Sequence, residues 1–175
     1  MRKLKNEELN RLQLDEYKSQ KKYPIVVVLD NLRSAHNVGS IFRTCDAFLI
    51  EKICLCGISP CPPKKEIRKT ALGATESVNW QYFDETMDCI HQLKEENYQI
   101  ISVEQANKST SLEDFTIDKS SKMALVFGHE VEGVDERCIT GSNHVLEIPQ
   151  QGTKHSFNVS VSVGIVLWHL TTNRQ

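Results

Sequence analysis

The feature that most constrains the fold is a run of five apolar residues near the start of the chain. After Pro24 the sequence reads Ile-Val-Val-Val-Leu over residues 25–29, without the polar alternation of a half-exposed strand. A continuous run of this kind, rich in β-branched residues, is typical of a strand that is buried on both faces of a parallel sheet. We therefore expect a parallel sheet that contains this strand.

Further strands and helices alternate along the chain after this run. Apolar side chains recur at helical spacing between Val38 and Phe48, which predicts a helix after the first strand and its polar loop. The other predicted strands are 52–56, 78–83, 99–103, 123–127 and 145–148, and the other predicted helices are 85–96 and 159–170. This alternation indicates an α/β fold with a mostly parallel sheet.

The length of the chain and the composition of its start predict how it is organised. At 175 residues it has the size of one compact domain. Residues 6–20 have helix-forming composition but a thin apolar face, so we predict a helical extension over 1–22 and one domain over 23–175. No apolar run approaches the roughly 20 residues of a membrane helix, and the start lacks a secretory signal. We expect a cytoplasmic protein that does not enter a membrane.

Cysteine spacing and net charge limit the kinds of site that the chain can carry. The tightest of its cysteine groups, Cys54, Cys56 and Cys61, lacks the CxxC pairs of a zinc site. We expect reduced thiols and no bound metal. The net charge is −2, so any surface that binds nucleic acid must be local. Its candidates are the basic residues Lys21, Lys22, Lys64, Lys65, Arg68 and Lys69.

Ligands in open parallel sheets bind beyond the carboxyl ends of the strands, which directs attention to the loops there. The loop after Phe127 carries Gly128 and Gly133, which suit close approach of the backbone to a flat ligand. It is not a GxGxxG turn, and no Walker sequence occurs, so a pyrophosphate or triphosphate site is not supported. The alternative is an ordinary strand-to-helix turn with Glu130 near a helix N-terminus.

Polar groups also open the last predicted helix and follow the apolar face of the first. Ser156, Asn158 and Ser160 lie at the start of a helix that needs only one such residue as an N-cap. They are therefore either capping residues or polar groups that are free to bind a ligand. Arg43 follows two apolar residues on the first helix. It is either a surface residue or a guanidinium at the edge of a buried surface, where it would suit phosphate binding.

Three segments, in this order, resemble the three motifs of the SPOUT superfamily of methyltransferases, in its SpoU or TrmH-like branch. They read Asn-Val-Gly-Ser-Ile-Phe-Arg-Thr-Cys-Asp-Ala-Phe over 37–48, Leu-Val-Phe-Gly-His-Glu-Val-Glu-Gly over 125–133, and Ile-Pro-Gln-Gln-Gly over 148–152 with Ser-Phe-Asn-Val-Ser over 156–160. The resemblance covers nearly the whole chain. It implies an α/β fold whose C-terminal segment forms a deep trefoil knot, and a homodimer.

The same resemblance implies an activity. Members of this branch transfer a methyl group from S-adenosyl-L-methionine to a ribose 2′-hydroxyl of RNA. Small members without a large RNA-binding appendage often act on tRNA, so the expected substrate is tRNA, with ribosomal RNA as the alternative. A knot protein that binds RNA without turnover is a further alternative, which failure to bind S-adenosyl-L-methionine would favour.

Roles for individual residues follow from the resemblance alone. The implied catalytic set is Arg43, Asn37, Glu130, Ser156 and Asn158. The implied cofactor-binding set is Val103, Glu104, Phe127, Gly128, Gly133, Ile148, Gln150 and Phe157. The expected RNA-binding residues are Arg33, His36, Lys64, Lys65, Arg68 and Lys154.

The chain departs from the family pattern at three positions. Leu49 stands where glycine is common, His129 replaces a usual asparagine, and His155 stands where an acidic residue often precedes the serine. Position 155 bears on which RNA is bound more than on the chemistry. Two other enzyme classes stay open from the sequence. A base methyltransferase would leave no ribose-modified nucleoside, and a dinucleotide-dependent oxidoreductase would bind NAD tightly.

Overall fold

The structure, a computed structural model, describes residues 1–116, 118 and 120–172. A 3₁₀ turn at Asn6–Leu9 precedes the first helix. The helices are α1 Leu14–Ser19, α2 Ala35–Ala47, α3 Lys65–Ala71, α4 Ala74–Ser77, α5 Thr86–Glu95, α6 Glu136–Gly141 and α7 Val159–Thr172. The strands are β1 Tyr23–Asp30, β2 Ile50–Cys56, β3 Asn79–Phe83, β4 Gln99–Val103, β5 Thr110–Ser111, β6 Met123–Phe127 and β7 His144–Glu147.

The described strands form one parallel sheet in the order β3-β2-β1-β6-β4-β7-β5. β1 lies between β2 and β6, and Ile25 to Leu29 have no exposed surface. The predicted α/β fold and the burial of this strand on both faces are therefore confirmed. The trefoil knot stays a prediction.

Two apolar layers cover the sheet because successive strand residues point to opposite faces. Val27 and Leu29 join a core with Ile41 and Phe42 of α2 and with Leu167 of α7. Val26 and Val28 point the other way, into a second core with Ile90 and Leu93 of α5 and Cys138 of α6. The continuous run over 25–29 thus supplies both cores.

The buried carboxylate of Asp30 connects three loops at the carboxyl edge of the sheet. Its Oδ1 accepts hydrogen bonds from Thr86 Oγ1 at 2.6 Å and Asn31 Nδ2 at 2.9 Å, and its Oδ2 accepts from the Asp135 backbone at 2.9 Å. Asp135 caps α6. Asp30 therefore fixes the far end of the loop that follows β6.

The start of the chain differs from the single predicted helix over residues 6–20. It forms the 3₁₀ turn and the short helix α1, with residues 10–13 between them. Tyr17 of α1 is 5% exposed and belongs to the core that contains α2 and α7. The boundary between residues 22 and 23 stays a prediction, and Tyr17 attaches the extension to the core.

Three further observations concern the sites that the sequence left open. All six cysteines are free thiols. Within residues 1–116, 118 and 120–172, no group of three or more His, Cys, Asp or Glu side chains is arranged to hold a metal ion. Over the same residues, no helix has the length and apolar character needed to cross a membrane.

Candidate functional site

A pocket of about 510 Å³ lies at the carboxyl ends of β4, β6 and β7. Its volume falls within the range of about 300–1,000 Å³ that is usual for small-molecule sites. Its walls come from the ends of these strands, from the loops after β6 and β7, and from the start of α7. The residues that line it are Val103, Glu104, Gln105, Phe127, Gly128, His129, Glu130, Val131, Glu132, Gly133, Ile148, Gln150, His155, Ser156, Phe157, Asn158, Val159 and Ser162.

The loop after β6 is folded tightly on itself. The backbones of His129 and Gly133 exchange two hydrogen bonds, at 3.0 and 2.9 Å. A Cβ atom at Gly128 would lie 2.1 Å from the Gly133 carbonyl carbon, and Gly133 has a φ of +74°. Both positions therefore require glycine, the first for close approach and the second for its left-handed backbone.

The imidazole of His129 satisfies the amides at the tip of this loop. Its Nδ1 accepts hydrogen bonds from the backbone N–H groups of Val131 and Glu132, each at 3.1 Å. Nδ1 acts as the acceptor for both amides. His129 thus shapes one wall of the pocket.

Glu104, which directly follows β4, binds the same end of this loop that Asp30 fixes through Asp135. Its Oε2 accepts from the Val134 backbone at 3.0 Å, and its Oε1 accepts from the Gln105 backbone at 2.9 Å. Gln105 donates from Nε2 to the His155 carbonyl at 3.0 Å. The end of β4 is therefore tied to both loops that form the pocket.

Glu130 connects the same loop to the N-terminus of α2. Its Oε2 accepts from the Arg33 backbone at 2.9 Å, and its Oε1 accepts from the Ser34 backbone and from Asn37 Nδ2, both at 3.0 Å. Burial alone would raise the pKa of Glu130, but the donors at Arg33, Ser34 and Asn37 outweigh it and lower the pKa. Glu130 is an ionised carboxylate at neutral pH.

Asn158 extends this network to α7. Its Oδ1 accepts from the Ser160 backbone at 2.9 Å, which caps the helix, and its Nδ2 donates to Asn37 Oδ1 at 3.2 Å. Asn37 therefore lies between Glu130 and Asn158. Asn158 therefore caps α7 and at the same time contacts Asn37; its role in the site stays a prediction.

Comparison with known proteins identifies the family to which a chain with this site belongs. The model of the SpoU rRNA Methylase family matches residues 24–168, which is most of the chain. The chain belongs to the SpoU rRNA methylase family. This confirms the resemblance that the three sequence segments carried.

Individual relatives of this SpoU family chain are similar over most of its length. The 23S rRNA (guanosine-2′-O-)-methyltransferase RlmB of Haemophilus influenzae is 31% identical over 170 residues, covering 95% of this chain and 67% of that protein. The TrmH/SpoU tRNA modifying enzyme of A. aeolicus is 25% identical with a TM-score of 0.81, covering 92% of this chain and 80% of that one. An AdoMet-bound rRNA methyltransferase from Sinorhizobium meliloti is 26% identical with a TM-score of 0.78, covering 90% of this chain and 58% of that one.

Other relatives are longer than this SpoU family chain. The chain spans 64% of the length of a TrmH family relative from Staphylococcus epidermidis and 41% of the length of a tRNA/rRNA methyltransferase from Synechocystis. The range matched by the family model, residues 24–168, includes all the residues that line the pocket.

The structure brings most of the predicted site residues of this SpoU family member together. All eight predicted cofactor residues line the pocket. Of the predicted catalytic residues, Glu130, Ser156 and Asn158 line it, and Asn37 contacts two of them. Arg43 is exposed and does not line it. The predicted RNA-binding residues are exposed outside the pocket, at Arg33, His36, Lys64, Lys65, Arg68 and Lys154.

Sequence reasoning did not assign roles to several residues of the pocket. Gln105 and His129 carry the hydrogen bonds that shape its loops, and Ser162 lies one helical turn after Asn158. The signal for Gln105 was its place directly after Glu104. His129 was noted only as a departure from the family pattern, and its two amide partners required the folded loop.

Proposed function

We propose that this protein transfers a methyl group from S-adenosyl-L-methionine to a ribose 2′-hydroxyl of RNA. The observation that carries the proposal is the convergence of all three motif segments on one pocket. Asn37 of the first segment, Glu130 of the second and Asn158 of the third form one hydrogen-bonded chain. Family membership and the AdoMet-bound relative support the same activity.

The pocket has the character that S-adenosyl-L-methionine requires. The cofactor has a flat adenine, a ribose and a charged amino-acid end, so it needs apolar walls and backbone polar groups. Val103, Phe127, Ile148 and Phe157 provide apolar surface, and the tight loop after β6 brings backbone groups to the pocket. When bound, the cofactor supplies a sulfonium-linked methyl group, which is a good electrophile.

The task of the protein is then to align a weakly acidic hydroxyl with that methyl group and to stabilise the negative charge that develops on its oxygen. We propose Arg43 for the second role, since a guanidinium holds its charge and binds phosphate well. It does not act as the base, because arginine is effectively never deprotonated in proteins. An RNA phosphate oxygen or a water accepts the proton.

Arg43 is proposed to act in the pocket of a second copy of the chain. It lies six residues after Asn37 on α2, which turns it about 120° around the helix axis and moves it about 9 Å along it. Asn37 and Arg43 therefore project from different sides of α2, and the side that carries Asn37 is the one that meets the pocket residues. A homodimer is the simplest arrangement in which Arg43 reaches a pocket.

The exposed side of α7 supports such a homodimer. Val161 and Trp168 lie seven residues apart on this helix, hence on one face, and are 46% and 62% exposed. Trp168 packs edge-on against Phe48, which directly follows α2, with 6.3 Å between ring centroids. A helix that is apolar on both sides is normally buried on both sides. We propose that α2 and α7 form the dimer interface.

We propose tRNA as the substrate, with ribosomal RNA as the second candidate. The A. aeolicus relative, of which this chain covers 80%, is named as a tRNA modifying enzyme. The H. influenzae relative is named for 23S rRNA. The proposed phosphate contacts are the exposed residues of the predicted RNA-binding set: Arg33, His36, Lys64, Lys65, Arg68 and Lys154.

The test is incubation of the purified protein with S-adenosyl-L-methionine and either total tRNA or ribosomal RNA, followed by nucleoside mass spectrometry. A 2′-O-methylated nucleoside in one RNA class is expected. A base-methylated nucleoside would overturn the ribose assignment. Absence of cofactor binding in calorimetry would instead favour the non-catalytic RNA-binding protein.

A further inference from the structure

The edge strand β3 carries two partly exposed aromatic side chains. Trp80 and Tyr82 are 38% and 43% exposed, and they project from the same face because they are two residues apart. On the neighbouring strand β2 their partners in register are Ile53 and Leu55, which have no exposed surface. On this face of the sheet, the side chains therefore change from fully buried on β2 to partly exposed on β3.

A basic segment follows the loop that Tyr82 contacts. The segment that leads into and forms α3 has exposed Lys64, Lys65, Arg68 and Lys69 against one acidic residue, Glu66. The Tyr82 hydroxyl donates to the carbonyl of Gly57, in the loop that leads from β2 to this segment. This loop therefore connects Tyr82 to a local concentration of positive charge on a chain whose net charge is −2.

The Tyr82 ring is held in place by its hydroxyl. Tyr82 Oη donates to the Gly57 carbonyl at 3.0 Å, and the Gly57 backbone donates to the Phe83 carbonyl at 3.0 Å. Burial and the neighbouring Asp84 raise the pKa of Tyr82, so the hydroxyl stays protonated and can keep donating. The ring face is therefore presented in a fixed position.

We propose that Trp80 and Tyr82 are a stacking platform for unpaired bases of the RNA substrate, next to a basic track formed by Lys64, Lys65, Arg68 and Lys69. Aromatic faces beside lysine and arginine are the combination that binds single-stranded RNA, since bases stack on the rings and phosphates meet the cations. This inference rests on the proposed function because it assumes that the ligand is RNA.

The position of the platform relative to the pocket fits one continuous RNA. From β6, which borders the pocket, to β3 there are three strand spacings, or about 14 Å. A few unstacked nucleotides can cross this distance along the sheet. The platform would therefore hold nucleotides on one side of the nucleotide to be methylated.

The experiment compares Trp80→Phe and Tyr82→Phe, which keep a ring, with Trp80→Leu and Tyr82→Leu, which keep apolar surface but no ring. Binding to total tRNA and to a labelled single-stranded RNA of about 12 nucleotides is measured by fluorescence anisotropy. Each leucine variant is expected to bind about tenfold more weakly. The Trp80→Phe variant should bind as the unmodified protein does.

Tryptophan fluorescence gives a readout that does not depend on activity. The chain has two tryptophans, so Trp168→Phe leaves only Trp80, and Trp80→Phe leaves only Trp168. Stacking on Trp80 predicts that RNA quenches the tryptophan fluorescence of Trp168→Phe. The fluorescence of Trp80→Phe should stay nearly unchanged. Equal quenching of both, or of neither, contradicts the platform.

Other outcomes separate this inference from the proposed function. If the unmodified protein methylates RNA and the leucine variants bind it equally well, the platform is wrong and the proposed function stands. If RNA binds through the platform but no ribose is methylated, the platform stands and the proposed function fails. If the leucine variants change only the mass in light scattering, this face contacts another protein chain and the platform is wrong.

Discussion

Glu130 illustrates how a single side chain joins distant parts of the sequence at the site. It accepts hydrogen bonds from residues 33, 34 and 37, which are more than 90 positions away in the sequence. The sequence left open an ordinary turn with Glu130 near the N-terminus of the following helix. In the structure, Glu130 instead meets the N-terminus of α2. A carboxylate at the N-terminus of a helix is favoured by the unpaired N–H groups there.

Substitution of Glu130 by Gln should make stability less dependent on pH. Because the pKa of Glu130 is lower in the folded protein than the unfolded value of about 4.3, its ionised form stabilises the fold above that pH. This stabilisation is lost as the pH falls through the folded pKa. At neutral pH we expect Glu130→Gln to lower the Tm by about 2–4 °C, for a cost of about 1 kcal/mol.

The control is Glu132→Gln, since Glu132 is an exposed neighbour on the same loop. This substitution should leave the Tm unchanged at both of the pH values that are measured. Thermal unfolding near pH 7 and at about pH 3 should show the gap between unmodified protein and Glu130→Gln narrowing in acid. A gap that stays constant, or that widens in acid, would contradict the assignment.

The role of His129 predicts a difference between two substitutions. Asn offers a side-chain oxygen to the Val131 and Glu132 amides, whereas Ala leaves them without the acceptor they have now. His129→Ala should weaken S-adenosyl-L-methionine binding about tenfold in calorimetry, for about 1.4 kcal/mol, while His129→Asn keeps it. Equal losses in both variants would show that the imidazole itself is needed.

Leu49, which departs from the family pattern, has a backbone conformation that costs free energy. It occupies a position where glycine is common, and its φ of +51° lies in the left-handed region. An L-residue pays about 1–2 kcal/mol for this conformation. Leu49 also packs partly buried against the core, which offsets that cost.

At the scale of elements, long apolar patterns were predictable and short helices were not. The apolar spacing between Val38 and Phe48 predicted α2 to within three residues at its start and one at its end. Helices α3, α4 and α6 have seven, four and six residues. Helices this short have too few turns to show a repeating pattern, and their stability comes from tertiary packing.

The short helix α1 offers a test of how the N-terminal segment is attached. In the part of the chain that the structure describes, the buried Tyr17 hydroxyl has no hydrogen-bond partner, although the ring packs in the core. A buried unpaired hydroxyl costs about 1–3 kcal/mol. Tyr17→Phe should therefore raise the free energy of unfolding by about 1 kcal/mol, and Tyr17→Ala should lower it by about 3 kcal/mol.

Urea unfolding at neutral pH measures both Tyr17 variants under the same conditions. The ring contact with the Lys22 ammonium, 3.3 Å from the Tyr17 centroid, is available to Phe as well. A loss of stability in Tyr17→Phe would mean that the hydroxyl is satisfied in solution. No effect of Tyr17→Ala would mean that α1 does not contribute to the core.

For the whole molecule, the proposed homodimer makes a prediction about mixed dimers. Arg43→Ala removes the guanidinium, and Asn158→Asp keeps a capping oxygen but removes the amide that bonds Asn37. Each variant alone should bind RNA and should methylate it at less than about a hundredth of the rate of the unmodified protein. If Arg43 acts across the interface, a dimer of one variant with the other contains one intact site.

Co-expression of the two variants should then restore about a quarter of the unmodified activity, because half of the dimers are mixed and each mixed dimer has one working site. The measurement is methyl transfer to tRNA, with light scattering to establish the dimer. Activity that stays at the level of the single variants would place Arg43 in the pocket of its own chain. A monomer in light scattering would contradict the interface.

The sequence alone determined the elements whose side-chain pattern is local. The run over residues 25–29 specified a strand that is buried on both faces, and the three motif segments specified the family and eight residues that line one pocket. These features depend on residue type and spacing within short segments, where side-chain size and polarity decide burial. They are therefore readable before the chain is folded.

The tertiary structure decided which of these segments meet. Strand order places β6 beside β1 and leaves β3 at an edge, so Glu130 reaches the start of α2 while Trp80 and Tyr82 stay partly exposed. It also separates Arg43 from the pocket that Asn37 joins. Contacts between residues about a hundred positions apart depend on the order of parallel strands, which no local pattern encodes.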